Sequence, residues 1–212
     1  MNLYFSPLAC SMATRIALYE AGAPATYTCV DNKAKRLADG GDFWAVTAMG
    51  QVPVLRTDDG LLLTENAAIL QYVADRFPAA HLAPAGGNER ARLQQWLGFI
   101  STELHKVLFV PLLDPTAAPE VKAYSRDKAE RRLGILQAHL AEREFLLDEF
   151  SVADAYLTTV LNWAAYGGVD LAQWPVVQGY YQRMLKRPSI AKALGEEFAL
   201  YKEELAARQK QA

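Results

Sequence analysis

The sequence predicts an α/β domain followed by an all-helical domain. Strand-like and helix-like patterns alternate over roughly the first eighty residues. The stretch "PAAHLAPAGGN", residues 78–88, then concentrates Pro, Gly and Ala, and beyond it the strand patterns disappear. We therefore predict an α/β domain over residues 1–78 and a helical domain over residues 88–212, joined by this linker.

The first domain begins with alternating elements. "NLYF" (2–5) predicts a short strand, and "ATYTCV" (25–30) predicts a second one because its apolar residues recur at every other position. Between them "SMATRIALYEAG" (11–22) predicts a helix, with Ser11 as a candidate cap and Gly22 as a stop signal. The three segments together predict a β-α-β unit.

The remaining sequence of this domain predicts a hairpin and a helix. "KAKRLADGGD" (33–42) is polar with two glycines and predicts a loop or a short helix. "VPVLRT" (52–57) and "LLLTE" (61–65) predict a hairpin, because the Asp-Gly between them suits a tight turn. "NAAILQYVADRF" (66–77) has helical apolar spacing. The predicted order is β-α-β-loop-β-β-α.

The sequence of the second domain predicts only helices. Their expected bounds are 89–110, 119–142, 152–166, 174–186 and 189–205. In the first of them one apolar stripe has helical spacing: Leu93, Trp96, Ile100, Leu104 and Val107. Ser151 and Asp154 have capping-box spacing at the start of the third, with Asp in place of the usual Glu.

Composition narrows the class of protein. The chain has 212 residues, 51% apolar and 22% charged, with a formal net charge of −2 and both signs interspersed. We expect no nucleic-acid or anionic-membrane partner, since no basic patch stands out. The start of the chain lacks a basic region followed by a long apolar core, and apolar runs fall short of the ~20 residues that span a bilayer. We therefore expect a soluble cytoplasmic protein.

Cys10 raises the question of chemistry. It lies where the first strand gives way to the first helix, and free N–H groups at a helix start favour an anion such as a thiolate. The dipole contributes only about 0.3–1 kcal/mol, so further donors are needed. A free cysteine is more often a small buried apolar residue than a nucleophile, so both interpretations of Cys10 stay open. Cys29 lies inside a strand pattern and is interpreted as packing; two unrelated cysteines indicate a reducing compartment.

Two further motifs suggest binding. Pro53 after Val52 belongs at a strand start, and a cis bond there would turn the Val52 backbone toward an extended peptide ligand. Glu65 and Asn66 precede an apolar helix and can simply cap it. A carboxylate, an amide and free helix N–H groups also suit the ammonium and carboxylate of an α-amino acid.

These motifs together resemble a known family. A cysteine after the first strand, Val-Pro before the third and Glu-Asn at the start of a helix resemble the thioredoxin-like domain of glutathione transferases, and the helical remainder resembles their second domain. Within that family the chain is most similar to the bacterial beta class. The segments that carry the resemblance are "SPLACSMATRIAL" (6–18), "GQVPVLRTDDGLLLTENAAILQYVAD" (50–75), "STELHK" (101–106) and "FSVADAYL" (150–157).

The resemblance implies roles for the first domain. Cys10 would face the glutathione sulfur, and Val52 would pair its backbone with the cysteinyl part beside a cis Pro53. Glu65 and Asn66 would hold the γ-glutamyl end. Ser11 and Tyr4 stay as alternative groups for activating the thiol, and Lys35 would lie near the glycyl carboxylate.

For the second domain the resemblance implies that His105 and Lys106 approach the thiol. A lone histidine is more often a bystander, although Thr102 and His105 share a stripe that suits a cleft wall. The candidate electrophile pocket consists of apolar residues that would otherwise be core: Phe109, Leu112, Leu113 and Trp163. The family also implies a homodimer. We expect no metal, because the histidines and cysteines share no ligand spacing.

Three functions remain open. The first is a transferase that conjugates glutathione to small hydrophobic electrophiles. The second is a glutathione-dependent reductase that forms a mixed disulfide at Cys10; since "CSMA" lacks a second cysteine, only a monothiol cycle fits. The third is a non-catalytic glutathione- or ligand-binding module, against which the intact Cys10, Pro53, Glu65 and Asn66 argue.

Overall fold

The computed structural model describes residues 1–209 in two units. The first unit comprises Met1–Ala80 together with the chain from Pro188 onward, and the second comprises His81–Arg187. The division after Ala80 falls inside the predicted linker. The first unit is a mixed sheet with helices and the second is helical, which confirms the predicted fold class.

The strands and helices follow the predicted order closely. The strands are β1 (Asn2–Phe5), β2 (Thr26–Asp31), β3 (Arg36–Leu37), β4 (Val54–Arg56) and β5 (Leu62–Thr64). The α-helices are α1 (Met12–Glu20), α2 (Asn66–Arg76), α3 (Gly87–Phe99), α4 (Val110–Leu113), α5 (Pro119–His139), α6 (Val152–Leu161), α7 (Pro175–Met184) and α8 (Pro188–Gln209). Short 3₁₀ turns lie at Phe43–Ala45, Pro78–Ala80, Leu140–Glu142 and Leu171–Gln173.

The sheet has the order β3-β2-β1-β4-β5. The central strand β1 runs parallel to β2, as the α1 crossover requires, and antiparallel to β4. Alternation along β1 sends Tyr4 to one face, where it joins a buried cluster with Val30, Phe43, Val52 and Val54. The loop after β1 and the start of β4 therefore lie side by side, because Tyr4 pairs with Val54.

The predicted helical domain over 88–212 needs correction at its end. α8 is grouped with the first unit, where it packs against α1. The physical reason includes apolar burial, since Ile190 and Ala193 on α8 are fully buried. The Arg15 guanidinium on α1 also lies 3.1 Å from Glu196 Oε2 and 3.1 Å from Glu197 Oε1 on α8. Periodicity in the sequence shows that this helix exists but not which domain it covers.

β3 was not predicted, since the sequence around it indicated a loop or a short helix. Asp31 accepts hydrogen bonds from the Lys33 and Ala34 N–H groups, and Lys35 has a φ of +57°. This turn brings Leu37 opposite Val30 of β2. A two-residue strand has no periodicity of its own, so its pairing depends on the tertiary structure.

The long first helix of the second unit changes its winding. Between α3 and α4 the segment Ile100–Phe109 is π-helical. Of the predicted stripe, Leu93, Ile100 and Leu104 are buried, whereas Trp96 and Val107 are only partly so. A π-helix has more residues per turn, so the face that points inward shifts to include His105.

The segment Gly87–Leu113 is long and apolar enough to cross a membrane by length and composition alone. In this fold the same helix contributes its leucines to the core of the second unit, where it contacts α5 and α6. A core helix of this kind passes the same test of length and composition. The apolar side chains of this helix thus pack inside the second unit.

The capping box at the start of α6 is confirmed. The Ser151 hydroxyl accepts from the Ala153 N–H at 3.3 Å, and Asp154 Oδ2 accepts from the Ser151 N–H at 2.9 Å. α6 ends at Leu161 rather than at the predicted residue 166, because the chain turns there toward Gly168, whose φ is +68°.

Candidate functional site

Cys10 lies in the loop between β1 and α1. Its side chain is partly buried, and its Sγ lies 3.3 Å from the carbonyl oxygen of Val52, to which the thiol donates. The Val52–Pro53 bond is cis, and Val52 is buried two residues before β4. The structure thus brings two of the predicted motifs, the cysteine and the Val-Pro, into direct contact.

The loop that carries Cys10 is held by Ser11. The Ser11 hydroxyl is fully buried; it accepts from the Ser6 N–H and donates to the Ser6 carbonyl, both at 3.3 Å. The hydroxyl therefore closes the loop on its own backbone. It makes no side-chain cap hydrogen bond, which differs from the predicted cap. Tyr4, the other alternative for activating a thiol, packs in the buried cluster against Phe43.

Glu65 and Asn66 stand at the start of α2 but differ in exposure. Glu65 is exposed and has a φ of +66°, an uncommon and costly conformation for a non-glycine residue. Asn66 is buried: its Nδ2 donates to the Cys10 carbonyl at 2.9 Å, and its Oδ1 accepts from the Thr14 hydroxyl at 3.3 Å. The Asn66 amide thus ties α2 to the cysteine loop, a use that the sequence did not indicate.

Lys35 lies on the turn before β3. Its Nζ donates to Asn32 Oδ1 at 2.9 Å, and its backbone N–H donates to the Asp31 carbonyl. The side chain is partly buried. Its predicted contact with the glycyl carboxylate of a ligand remains a prediction.

In the second unit His105 is buried in an aromatic cluster. Its Nδ1 shares a hydrogen bond of 2.7 Å with the Tyr156 hydroxyl, and its ring lies 5.0 Å from that of Trp163. Burial, with a smaller contribution from Lys106, lowers the pKa of His105 to about 4. At neutral pH His105 is therefore a neutral hydrogen-bonding group rather than a cation. Lys106 itself is exposed.

The four residues of the candidate electrophile pocket divide by exposure. Phe109, Leu112 and Trp163 are buried, and the Phe109 and Trp163 rings lie 6.2 Å apart. Leu113 is 37% exposed. A methyl group built on Gly167 would lie 3.4 Å from Leu112 and 3.5 Å from Phe109, so these side chains pack closely at that point.

Sequence reasoning missed Tyr156, the partner of His105. The available signal was a tyrosine on an otherwise apolar helix, since a buried hydroxyl needs a hydrogen-bond partner. It also missed Arg15, whose guanidinium lies 4.1 Å from the Phe5 ring and 4.4 Å from the Tyr27 ring. Within residues 1–209 no group of three or more His, Cys, Asp or Glu side chains is placed to hold a metal ion.

The low pKa of His105 predicts a pH-dependent stability. Unfolding restores an ordinary pKa of about 6.5, so the unfolded chain binds the extra proton between pH 6.5 and about 4. The stability that His105 contributes is present above pH 6.5 and is lost as the pH falls toward 4, by up to ~3 kcal/mol. Urea denaturation at pH 7 and 4.5 should show this loss in the native chain and much less of it in His105→Gln.

His81→Gln serves as the control for that measurement, because His81 is exposed in the same unit. It should keep the native pH dependence. An equal loss of stability in the native chain and in His105→Gln would contradict the assignment to His105.

Comparison with known proteins gives a consistent result. The family model of the glutathione S-transferase N-terminal domain matches residues 9–76, and that of the C-terminal domain matches residues 100–188. The glutathione S-transferase GstA of Escherichia coli O157:H7 is 41% identical over 199 residues, which cover 93% of this chain and 98% of the relative. The glutathione S-transferase GST-4.5 of Xanthomonas campestris is 36% identical over 93% of this chain and 98% of its own length.

Solved structures agree with these relatives. A ternary complex of BphK, a bacterial glutathione S-transferase, has a TM-score of 0.90 at 46% identity and covers 93% of this chain and 99% of its own. A sphingomonad glutathione S-transferase complexed with glutathione has a TM-score of 0.89 at 43% identity, with 93% and 98% covered. The beta-class enzyme of Sphingomonas chungbukensis gives the same values.

Proposed function

Because the chain belongs to the glutathione S-transferase family, we propose that it joins the thiol of glutathione to small hydrophobic electrophiles, with Cys10 beside the reacting sulfur. One observation carries the proposal: Cys10 Sγ lies 3.3 Å from the carbonyl oxygen of Val52. An extended peptide whose cysteinyl backbone pairs with Val52 has its own sulfur next to Cys10. This arrangement suits glutathione, whose central residue is a cysteine.

The γ-glutamyl end is proposed to bind at the start of α2. Glu65 presents an exposed carboxylate for the ligand ammonium, and the first-turn N–H groups of α2 suit the ligand carboxylate. The Asn66 side chain is already hydrogen-bonded to the Cys10 carbonyl and the Thr14 hydroxyl. The backbone N–H of Asn66 is therefore the group proposed to bind the ligand. Lys35 is proposed to bind the glycyl carboxylate.

In the conjugation step the glutathione thiolate attacks the electrophilic carbon. A sulfur–carbon bond forms, the leaving group departs with its electron pair, and the thiol proton goes to solvent. The Cys10 S–H, which donates to Val52 here, is proposed to turn its hydrogen bond toward the thiolate and stabilise it. The electrophile is proposed to bind near the cluster of Phe109, Leu112, Leu113 and Trp163.

The same contact favours a second activity, reduction of disulfides through Cys10. The Cys10 thiolate would attack the glutathione sulfur of a disulfide; a Cys10–glutathione bond forms and the other thiolate leaves. A second glutathione thiolate then releases oxidised glutathione and regenerates Cys10. This monothiol cycle needs only one cysteine at the site.

Glu65→Gln tests the glutathione site. Loss of the carboxylate should raise the KM for glutathione about tenfold or more, since a hydrogen bond to a charged group contributes about 1.5–3 kcal/mol. The kcat at saturating glutathione should be largely kept, because Glu65 contacts a part of the ligand that does not react. Steady-state conjugation with an aryl halide measures both constants.

Glu203→Gln is the matched control, because Glu203 is an exposed glutamate in the same unit. It should leave the KM unchanged. A KM for Glu65→Gln that equals that of the control would contradict binding of the γ-glutamyl ammonium at Glu65.

His105 and Lys106 are proposed to approach the glutathione thiol from the helical unit.

We also propose that the protein is a homodimer in the cytoplasm. Members of this family are typically dimeric, and the homologues are bacterial transferases. Sedimentation at equilibrium measures the assembly directly, and a monomer mass would contradict the dimer.

A further inference from the structure

Glu197 on α8 reaches the loop that carries Cys10. The side chain is fully buried, and its Oε2 accepts a hydrogen bond of 2.7 Å from the backbone N–H of Leu8. Leu8 stands two positions before Cys10 and has a φ of +59°. A branched residue in this left-handed region pays a conformational cost, so the surrounding contacts must hold it there.

The loop transmits the position of Leu8 to Cys10 through short backbone contacts. The Ala9 N–H donates to the Ser6 carbonyl at 3.1 Å, and the Met12 N–H donates to the Ala9 carbonyl at 3.0 Å. These two hydrogen bonds constrain the backbone on both sides of Ala9. We therefore expect a change at Leu8 to move the Cys10 sulfur relative to the Val52 carbonyl.

Glu197 is itself oriented by Arg15. Its Oε1 lies 3.1 Å from Arg15 Nε, and the guanidinium packs against the rings of Phe5 and Tyr27. Glu196 binds the same guanidinium from the solvent side, with its own side chain 41% exposed. The carboxylate of Glu197 is thus the link between a fixed cation and the cysteine loop.

A purely structural role explains this arrangement less well. A buried ion pair stabilises a fold weakly, and apolar side chains of similar size fill such a place at least as well. An apolar residue would leave the Leu8 N–H without this acceptor. Burial also raises the pKa of Glu197, whereas Arg15 and the Leu8 N–H lower it and favour the carboxylate. The carboxylate is therefore kept at this position against a cost of burial.

We propose that Glu197 is a positioning residue: its carboxylate holds the Leu8 backbone and so sets the Cys10 sulfur against the Val52 backbone, where the glutathione sulfur binds. This inference rests on the proposed function. It adds that the last helix helps to place the Cys10 thiol, through a residue 189 positions away from Leu8 in the sequence.

The test compares two reactions of the same sulfur. With oxidised glutathione, the Cys10 thiolate attacks one sulfur, a Cys10–glutathione disulfide forms, and the released glutathione thiolate takes up the proton that Cys10 lost. Iodoacetamide alkylates the Cys10 sulfur directly and needs no binding site on the protein. With Cys29→Ala as the parent chain, so that Cys10 is the one cysteine left, the ratio of the two rate constants is followed by intact mass. It reports positioning and corrects for general exposure of the thiol.

Glu197→Gln keeps the size of the side chain but turns an N–H₂ group toward either Arg15 or Leu8. The ratio should fall about tenfold, while Glu196→Gln, which loses an Arg15 partner but does not reach Leu8, should keep the native ratio. Adding Leu8→Gly should restore part of the loss, because glycine adopts a positive φ without cost. If Glu197→Gln does not fold, Glu197→Asp, which keeps the charge but is one carbon shorter, replaces it.

The outcomes separate the two proposals. A native chain that forms no Cys10–glutathione disulfide would overturn the proposed role of Cys10 and this inference with it. A native chain that reacts, together with a Glu197→Gln or Glu197→Asp variant of unchanged ratio, would overturn this inference alone, even if the variant were less stable. A fall in both Glu196→Gln and Glu197→Gln would assign the effect to Arg15 and overturn it as well.

Discussion

Cys10→Ala is expected to abolish glutathione-dependent disulfide reduction, with a loss of at least a hundredfold, because the mixed disulfide cannot form without this sulfur. Conjugation should fall less, by about tenfold. In the proposed site the variant would lose one hydrogen-bond donor to the glutathione thiolate but would keep the backbone contacts of Val52 and the groups at the start of α2. Two assays on one preparation, disulfide reduction and aryl halide conjugation, measure both losses.

Cys29→Ala is the matched control for this prediction. Cys29 is partly buried in β2, and burial raises the pKa of its thiol, which leaves less thiolate at neutral pH. Both activities should survive its replacement. Reductase activity that persists in Cys10→Ala and disappears in Cys29→Ala would contradict the proposed site.

Asp154→Ala is expected to lower the free energy of unfolding by about 4 kcal/mol, since a buried donor that loses its acceptor costs about 1–3 kcal/mol. Asp154 is fully buried and accepts four hydrogen bonds. Oδ1 accepts from the Leu146 N–H at 2.9 Å and the Tyr180 hydroxyl at 2.8 Å; Oδ2 accepts from the Ser151 N–H at 2.9 Å and its hydroxyl at 3.0 Å. The carboxylate thus joins three segments of the second unit.

Asp154→Asn should cost less, about 2 kcal/mol, because one oxygen and its two hydrogen bonds can be kept. Asp148→Ala is the control, since that side chain is 86% exposed and lies 3.6 Å from Arg143; it should change stability by less than ~0.5 kcal/mol. Urea denaturation of the full chain measures all three. A change within ~1 kcal/mol for Asp154→Ala would contradict the central role of this carboxylate.

Most of the fold could be predicted from local patterns. The strand at residues 2–5, the hairpin around Asp59-Gly60 and the helix after Glu65 each have their own periodicity or turn signal, and all three are present in the structure. β3 and the π-helical segment Ile100–Phe109 were missed. The first depends on pairing with β2, and the second on how the helix packs, so neither has a pattern of its own.

The candidate site was predictable in part. Cys10, Val52 and Asn66 were selected as separate motifs, and the structure joins them through hydrogen bonds of 3.3 Å and 2.9 Å. The Asn66 amide points toward the cysteine loop, and this direction was not predictable. An asparagine at this position could equally cap the helix or bind a ligand, and the sequence does not distinguish these uses from a contact with the loop. Glu197 could not be found either, since a glutamate on a polar helix gives no sign of burial in the sequence.

The most direct test of the account is the intact mass of the protein after incubation with oxidised glutathione. The native chain and Cys29→Ala should each gain one glutathione, and Cys10→Ala should gain none. That result would place a reactive thiol in a glutathione site at Cys10. A native chain without added mass, or an equal gain in Cys10→Ala, would contradict the proposal that Cys10 lies beside the glutathione sulfur.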